Sequence, residues 1–295
     1  MPSHPVWSRR RHRVGRLRTE HPHAAELLAF YDDVLALQEP LYAKALKSRW
    51  LEAVEAADGR APRLRLERLP ERSRDRDFSR FVRAIPASAT DVLRAMAERL
   101  MTEPAAMSAL LSAVLAREPV DAVAARVGCD AAALEFFPRA FVQPVAEALA
   151  GQTDLDLSGA RDESGDDTVA GSDDARAACP CCGAAPVAAV LRDEPEIKGR
   201  RTLLCSLCLT EWAYPRTRCP ACGEQRAEKR PHHVSESWPH IRVEECGSCR
   251  TYIKAVDLRE VGLAVPVVDE LASIDLDLWA VGQGLTKLRA NLLGM

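Results

Sequence analysis

Apolar residues recur at intervals of three and four through the first 150 positions, a spacing that predicts helices. Over residues 22–38, Leu27, Tyr31, Val34 and Leu35 form one stripe, with Glu26, Asp32 and Asp33 opposite it. Pro40 is expected to end this helix, because proline has no amide hydrogen and clashes with the preceding turn. A second helix is expected over about 41–57, through Leu41, Leu46, Trp50, Leu51 and Val54. Residues 60–80 are rich in Arg, Glu and Asp and contain Pro62 and Pro70, the pattern of an exposed connector. Thr90 then offers a helix N-cap ahead of Val92, Leu93, Met96 and Leu100. Further helices are expected near 104–117, 119–127 and 130–149.

The pattern changes at residues 151–178, where eight acids face two arginines among Gly and Ser, the composition of an acidic flexible linker. Beyond it lie short β-like runs at 186–191, 201–204, 240–244 and 251–256. The tail, about 266–293, returns to helical spacing through Val268, Leu271, Ile274, Leu278 and Trp279, and then Leu285, Leu288 and Leu292. The expected fold is therefore α+β. A helical domain covers 1–150, the linker 151–178, two small modules 179–212 and 213–260, and a C-terminal helical segment 261–295.

Composition narrows the function classes. The chain has 295 residues, and its 40 basic against 43 acidic side chains leave a formal charge of −3, so no overall basic field favours nucleic acid. No run approaches the roughly 20 apolar residues of a membrane-spanning helix. Six arginines between Arg9 and Arg18 resemble the start of an export signal, but Glu20, His21, Pro22, His23 and Glu26 break the apolar run that would follow. They are read as a solvated basic arm.

Nine of the ten cysteines lie between 179 and 249. Eight form four Cys-x-x-Cys pairs: Cys179/Cys182, Cys205/Cys208, Cys219/Cys222 and Cys246/Cys249. Two intervening residues let a tight turn aim both sulfurs at one point about 2.3 Å away, the metal–thiolate distance. The first and third pairs read Cys-Pro-x-Cys-Gly, and Gly183 and Gly223 supply the positive φ that such a turn needs. Cys179 to Cys205 spans 26 positions and Cys219 to Cys246 spans 27, so the chain repeats a unit of knuckle, hairpin and knuckle. Two four-cysteine metal sites of zinc-ribbon or rubredoxin type follow, although pairing the first knuckle with the third remains open. Full tetrahedral coordination leaves no place for an activated water, which argues against a metallohydrolase. Thiolates accept either iron or zinc. Cys181 is expected to be a bystander with its sulfur turned outward, Cys129 a small buried hydrophobe, and His232, His233 and His240 loop residues.

These residues resemble the formate dehydrogenase accessory protein FdhE family. The resemblance rests on CPCCG at 179–183, RTLLCSLCLTEW at 201–212, RCPACG at 218–223, ECGSCRTYIKAVDL at 245–258, DELASIDLDLWA at 269–280 and NLLG at 291–294. It implies a cytoplasmic, non-enzymatic maturation factor that binds the catalytic subunit of respiratory formate dehydrogenase. It also implies rubredoxin-like iron sites on Cys179, Cys182, Cys205, Cys208, Cys219, Cys222, Cys246 and Cys249, with zinc the alternative occupant. Trp212 and Tyr252, just past the second and fourth knuckles, either contribute to a partner surface or, the more common case for aromatic residues there, pack a miniature core. Two other readings stay open: an iron-dependent electron carrier, and a zinc-ribbon nucleic-acid binder using Lys and Arg of 198–242. Against the latter, 13 basic and 11 acidic residues nearly cancel over 179–260.

Overall fold

The computed structural model describes residues 4–56, 61–154, 177–195 and 197–295. The expected linker therefore lies, apart from its ends, outside the described residues. The chain forms two compact units, one of Met1–Thr153 with Leu292–Gly294 and the other of Asp154–Asn291 with Met295.

The first unit is helical: α1 (Pro5–Glu20), α2 (Ala25–Lys47), α3 (Trp50–Val54), α4 (Glu71–Arg83), α5 (Asp91–Thr102), α6 (Pro104–Ala116), α7 (Asp121–Val127), α8 (Ala131–Leu134) and α9 (Phe136–Ala150). Local chemistry sets several ends. Thr90 caps α5 by accepting from the Leu93 amide, Asp130 caps α8 through the Ala133 amide, and Gly128 closes α7 in the left-handed region. Helix α9 is buried nearly all round, with Phe141 packed on Phe78 and Phe81 of α4, as expected of a core helix that is apolar over most of its surface.

Tertiary packing overrides four expectations here. Pro40 does not end its helix; α2 runs through it to Lys47. Within α9, Pro144 has no amide hydrogen for the Ala140 carbonyl, and the side chain of Gln38 on α2 donates to that carbonyl at 2.8 Å. The expected connector contains α4, whose Phe78, Phe81 and Val82 are buried. The amino-terminal arginines lie on α1, where Arg9, Arg16 and Arg18 are exposed but Arg10 and Arg13 are buried, and Arg10 makes a two-pronged bond to Glu147 of α9 at 2.9 and 2.5 Å. Cys129 is half-buried rather than part of the core.

The second unit is built on one sheet of β1 (Pro186–Arg192), β2 (Arg200–Cys205), β3 (Glu211–Ala213), β4 (His232–Ser235), β5 (Trp238–Cys246) and β6 (Thr251–Asp257). Helices α10 (Pro266–Ala272) and α11 (Ile274–Gly282) follow, then a short strand β7 (Thr286–Lys287). Strand order is β3-β2-β1-β6-β5-β4, with β7 beside β6. Each repeat contributes an antiparallel set, and the two join where β1 runs parallel to β6, Ala188 opposite Lys254 and Val190 opposite Val256. The two knuckle repeats thus share one continuous sheet. The tail is helical only as far as Gly282: Gly284 takes a positive φ, and Thr286–Lys287 pair with Thr251–Tyr252 as β7. Sheet hydrogen bonding wins over the leucine spacing there.

Candidate metal centres

Three of the knuckles share a turn hydrogen bond: the amide of Gly183 donates to the Cys179 carbonyl at 2.8 Å, that of Gly223 to Cys219 at 3.0 Å, and that of Arg250 to Cys246 at 2.8 Å. The residue after each second cysteine has a positive φ: Gly183 at 77°, Leu209 at 54°, Gly223 at 76° and Arg250 at 58°. Leu209 and Arg250 hold this conformation despite the crowding of their Cβ atoms, a cost of about 1–2 kcal/mol each.

The structure brings the eight cysteines together in two groups, Cys179, Cys182, Cys205 and Cys208, and Cys219, Cys222, Cys246 and Cys249; within each, all sulfurs lie within 4.8 Å of one another. The grouping follows the repeat and not the interleaved alternative. In the first group Sγ–Sγ approaches are 3.6 Å (Cys179–Cys208) and 3.4 Å (Cys182–Cys205). In the second they are 3.9 Å (Cys219–Cys249) and 3.7 Å (Cys222–Cys246). A tetrahedral ion with bonds of about 2.3 Å separates its sulfurs by about 3.8 Å, so both groups have the right size.

Electrostatics fits a cation as well. As free thiols, Cys205 is pushed up by burial, and Cys219 is pushed up to about 12 by the same cause. Burial pushes Cys208 the same way but is outweighed by thiol hydrogen bonds from Cys179, Cys181, Cys182 and Cys205, so it goes down. In the second group Cys249 is lowered to about 7, because contacts from Thr251, Cys222 and Cys246 outweigh its burial. One thiolate in each group is favoured at its neighbours' expense, and a bound cation is what stabilises all four as thiolates. Beside the second group a small cavity is lined by Cys219, Cys246, Arg230, Glu244 and Tyr252, and Nε and Nη1 of Arg230 are buried there without hydrogen-bond partners. A tetrathiolate complex of a divalent ion carries two negative charges, for which this guanidinium is a neighbouring counter-charge.

Other expectations change. Cys181 does not turn outward; it is 1% exposed, and its thiol is pushed up by its hydrogen bond to Cys208 and by burial. His232 and His233 lie on β4 and His240 on β5, not in loops. His240 is buried with Nε2 2.8 Å from Asp269, and His233 meets Glu245 at 3.0 Å. Trp212 and Tyr252 offer no surface: both are buried, and the Tyr252 hydroxyl donates to Asp277 at 2.8 Å.

Sequence reasoning missed the role of the acids of 269–277. Lys254 on β6 is wholly buried and donates to the Glu270 carbonyl at 2.5 Å, the Ser273 carbonyl and hydroxyl at 3.1 Å each, and Asp277 at 2.7 Å. Lys287 completes the cluster by pairing with Glu270 and, at 3.0 Å, with Asp277. Asp275 accepts from the Trp238 indole at 2.9 Å. These acids pin α10 and α11 onto the strands that carry the second site. The available signal was carboxylates placed between Val267, Val268, Leu271, Ile274 and Leu276, at positions a solvated helix face would not share with so many apolar residues.

Among the described residues, no helix is long and apolar enough to cross a membrane. Residues 178–216 match the model of the FdhE central domain, and residues 217–293 that of the FdhE C-terminal domain. An FdhE homologue of Aquifex aeolicus is 41% identical over 116 residues, 39% of this chain and 41% of that protein. One from Stutzerimonas stutzeri is 38% identical over 117 residues, 39% of this chain and 37% of that protein. The chain thus aligns with only about two fifths of the length of these relatives. The crystal structure of the FdhE protein from Pseudomonas aeruginosa shares the fold, with a TM-score of 0.63 over 99% of this chain and 96% of that one at 23% identity. Residues 178–293, which carry both tetracysteine sites, are thus similar to the central and C-terminal domains of FdhE proteins.

Proposed function

We propose that this chain is a non-enzymatic, cytoplasmic maturation factor that binds the catalytic subunit of a respiratory formate dehydrogenase and is needed for its active assembly. The observation that carries this reading is the coincidence of the family match with the whole cysteine constellation: all eight paired cysteines fall inside 178–293. The eight cysteines are proposed as ligands of two ions, Cys179, Cys182, Cys205 and Cys208 for one, and Cys219, Cys222, Cys246 and Cys249 for the other. Iron is the proposed occupant, with zinc the alternative. Four protein thiolates fill a tetrahedral ion, so the ions order the knuckles and bind no substrate.

Two measurements test this. Tagged protein, expressed with the catalytic subunit, is expected to co-purify with it; no complex either before or after cofactor insertion overturns the partner assignment. Elemental analysis with a visible spectrum on anaerobically purified protein is expected to give two irons per chain and ferric-thiolate colour on oxidation. Two zincs without colour would replace iron and leave the binding role standing.

A further inference from the structure

We propose that the two sites are unequal: the first retains its ion, while the second is a metal-exchange site that opens along its Cys222–Cys249 edge. This inference rests on the reading above that both sites hold an ion. In the first site every sulfur-bearing residue is buried, Cys179 and Cys208 at 1% and Cys182 and Cys205 at 0% exposure, and Cys181 at 1% adds a fifth buried side chain against Cys208. The amides of Leu207 and Cys208 point at Cys205 Sγ from 3.3 and 3.4 Å, and Thr210 Oγ1 lies 3.1 Å from Cys208 Sγ.

The second site has two faces. Cys219 and Cys246 are buried against the sheet, but Cys222 and Cys249, one from each knuckle, are only half-buried. Exchange at a filled tetrahedral ion requires an incoming donor to reach the ion while one protein thiolate swings away. Only the second site offers an exposed edge for that approach and sulfurs free to leave along it.

That edge is held by a clasp. The hydroxyl of Ser248, between Cys246 and Cys249, donates to Glu224 at 2.5 Å, two residues past Cys222. Glu224 is steadied by Arg226 at 3.0 and 2.7 Å and by the amides of Gln225 and Arg226 at 3.0 Å each. The clasp ties one knuckle to the other on the exposed side, where water competes for both partners. The donor that fits the edge is a chelating thiolate or aromatic nitrogen ligand.

The test uses the full chain loaded with zinc and challenged with 4-(2-pyridylazo)resorcinol. Native mass spectrometry before the challenge counts the ions, and a chain without any ion would overturn the metal reading itself. With two ions present, release is expected in two phases of one ion each, the fast at least tenfold faster than the slow. N-ethylmaleimide applied to the one-ion intermediate is expected to label Cys219, Cys222, Cys246 and Cys249 and to spare the first four cysteines. Ser248→Ala is expected to speed the fast phase by about threefold or more, from loss of one hydrogen bond, and to leave the slow phase unchanged. Release in a single phase, or label on Cys179, Cys182, Cys205 or Cys208 in the one-ion species, would overturn the inequality. An unchanged fast phase in Ser248→Ala would overturn the clasp.

Discussion

Replacing Lys254 by Met probes the ionic cluster that anchors α10 and α11. The wild-type ammonium is fully buried, with contacts to Glu270, Ser273 and Asp277 between 2.5 and 3.1 Å. Methionine fills much the same volume but supplies no charge, so the Glu270 and Asp277 carboxylates are left to share the one ammonium of Lys287. Water cannot reach them to compensate, since Glu270 and Asp277 are 1% and 2% exposed. Removing one partner from a buried, hydrogen-bonded ion cluster costs about 3–5 kcal/mol, because the charges left behind stay dehydrated. At about 1.4 kcal/mol per decade, amide exchange through opening of this unit should accelerate by roughly two to four orders of magnitude. Hydrogen–deuterium exchange resolved to peptides of β6, α10 and α11 reads this directly, with peptides of the first unit as internal control. Adding Asp277→Leu should recover part of the loss, since the double variant restores one positive to one negative charge. An acceleration below tenfold, or strictly additive costs in the double variant, would refute the claim that these charges stabilise one another in a dry environment.

Two further outcomes follow from buried polar groups. Gln38→Leu should cost about 1–3 kcal/mol, the penalty for leaving the Ala140 carbonyl without a donor; Pro144→Ala in the same chain should return much of it by restoring the helical amide, and thermal unfolding of both variants checks this. Glu244 lies between Arg201 and Arg242, each with a nitrogen 2.7 Å away; burial pushes its carboxyl up, but the two guanidiniums outweigh burial and hold it below the usual range. With the folded value below the unfolded one, its stabilisation is complete above about pH 4.5 and is lost as pH falls through the folded value. The gap in stability between wild type and Glu244→Gln should therefore be widest near neutrality and shrink below pH 4.5, as read by denaturant titration of both proteins at each pH; a gap independent of pH would contradict it.

The chemistry of the candidate sites was legible along the chain because everything it needs is local. Two residues between cysteines and, in the first and third knuckles, a glycine able to take positive φ bring the two sulfurs of each pair together, and the repeat of 26 and 27 positions favours one grouping of the pairs, which the tertiary structure decided. The start of α5 at its N-cap Thr90 was readable for the same reason. What the chain alone left undetermined depends on partners far away in sequence. Gln38 answers a carbonyl 102 positions on, Arg10 finds its carboxylate 137 positions on, and Lys254 meets acids of a segment whose spacing reads simply as amphipathic helix. A charged or proline-containing segment is normally left to solvent, since burial costs several kcal/mol unless a complementary group is waiting. Only the tertiary structure supplies that group, and only it decided that Tyr252 and Cys181 are buried and that the two tetracysteine sites, alike in spacing, differ in their exposure to solvent.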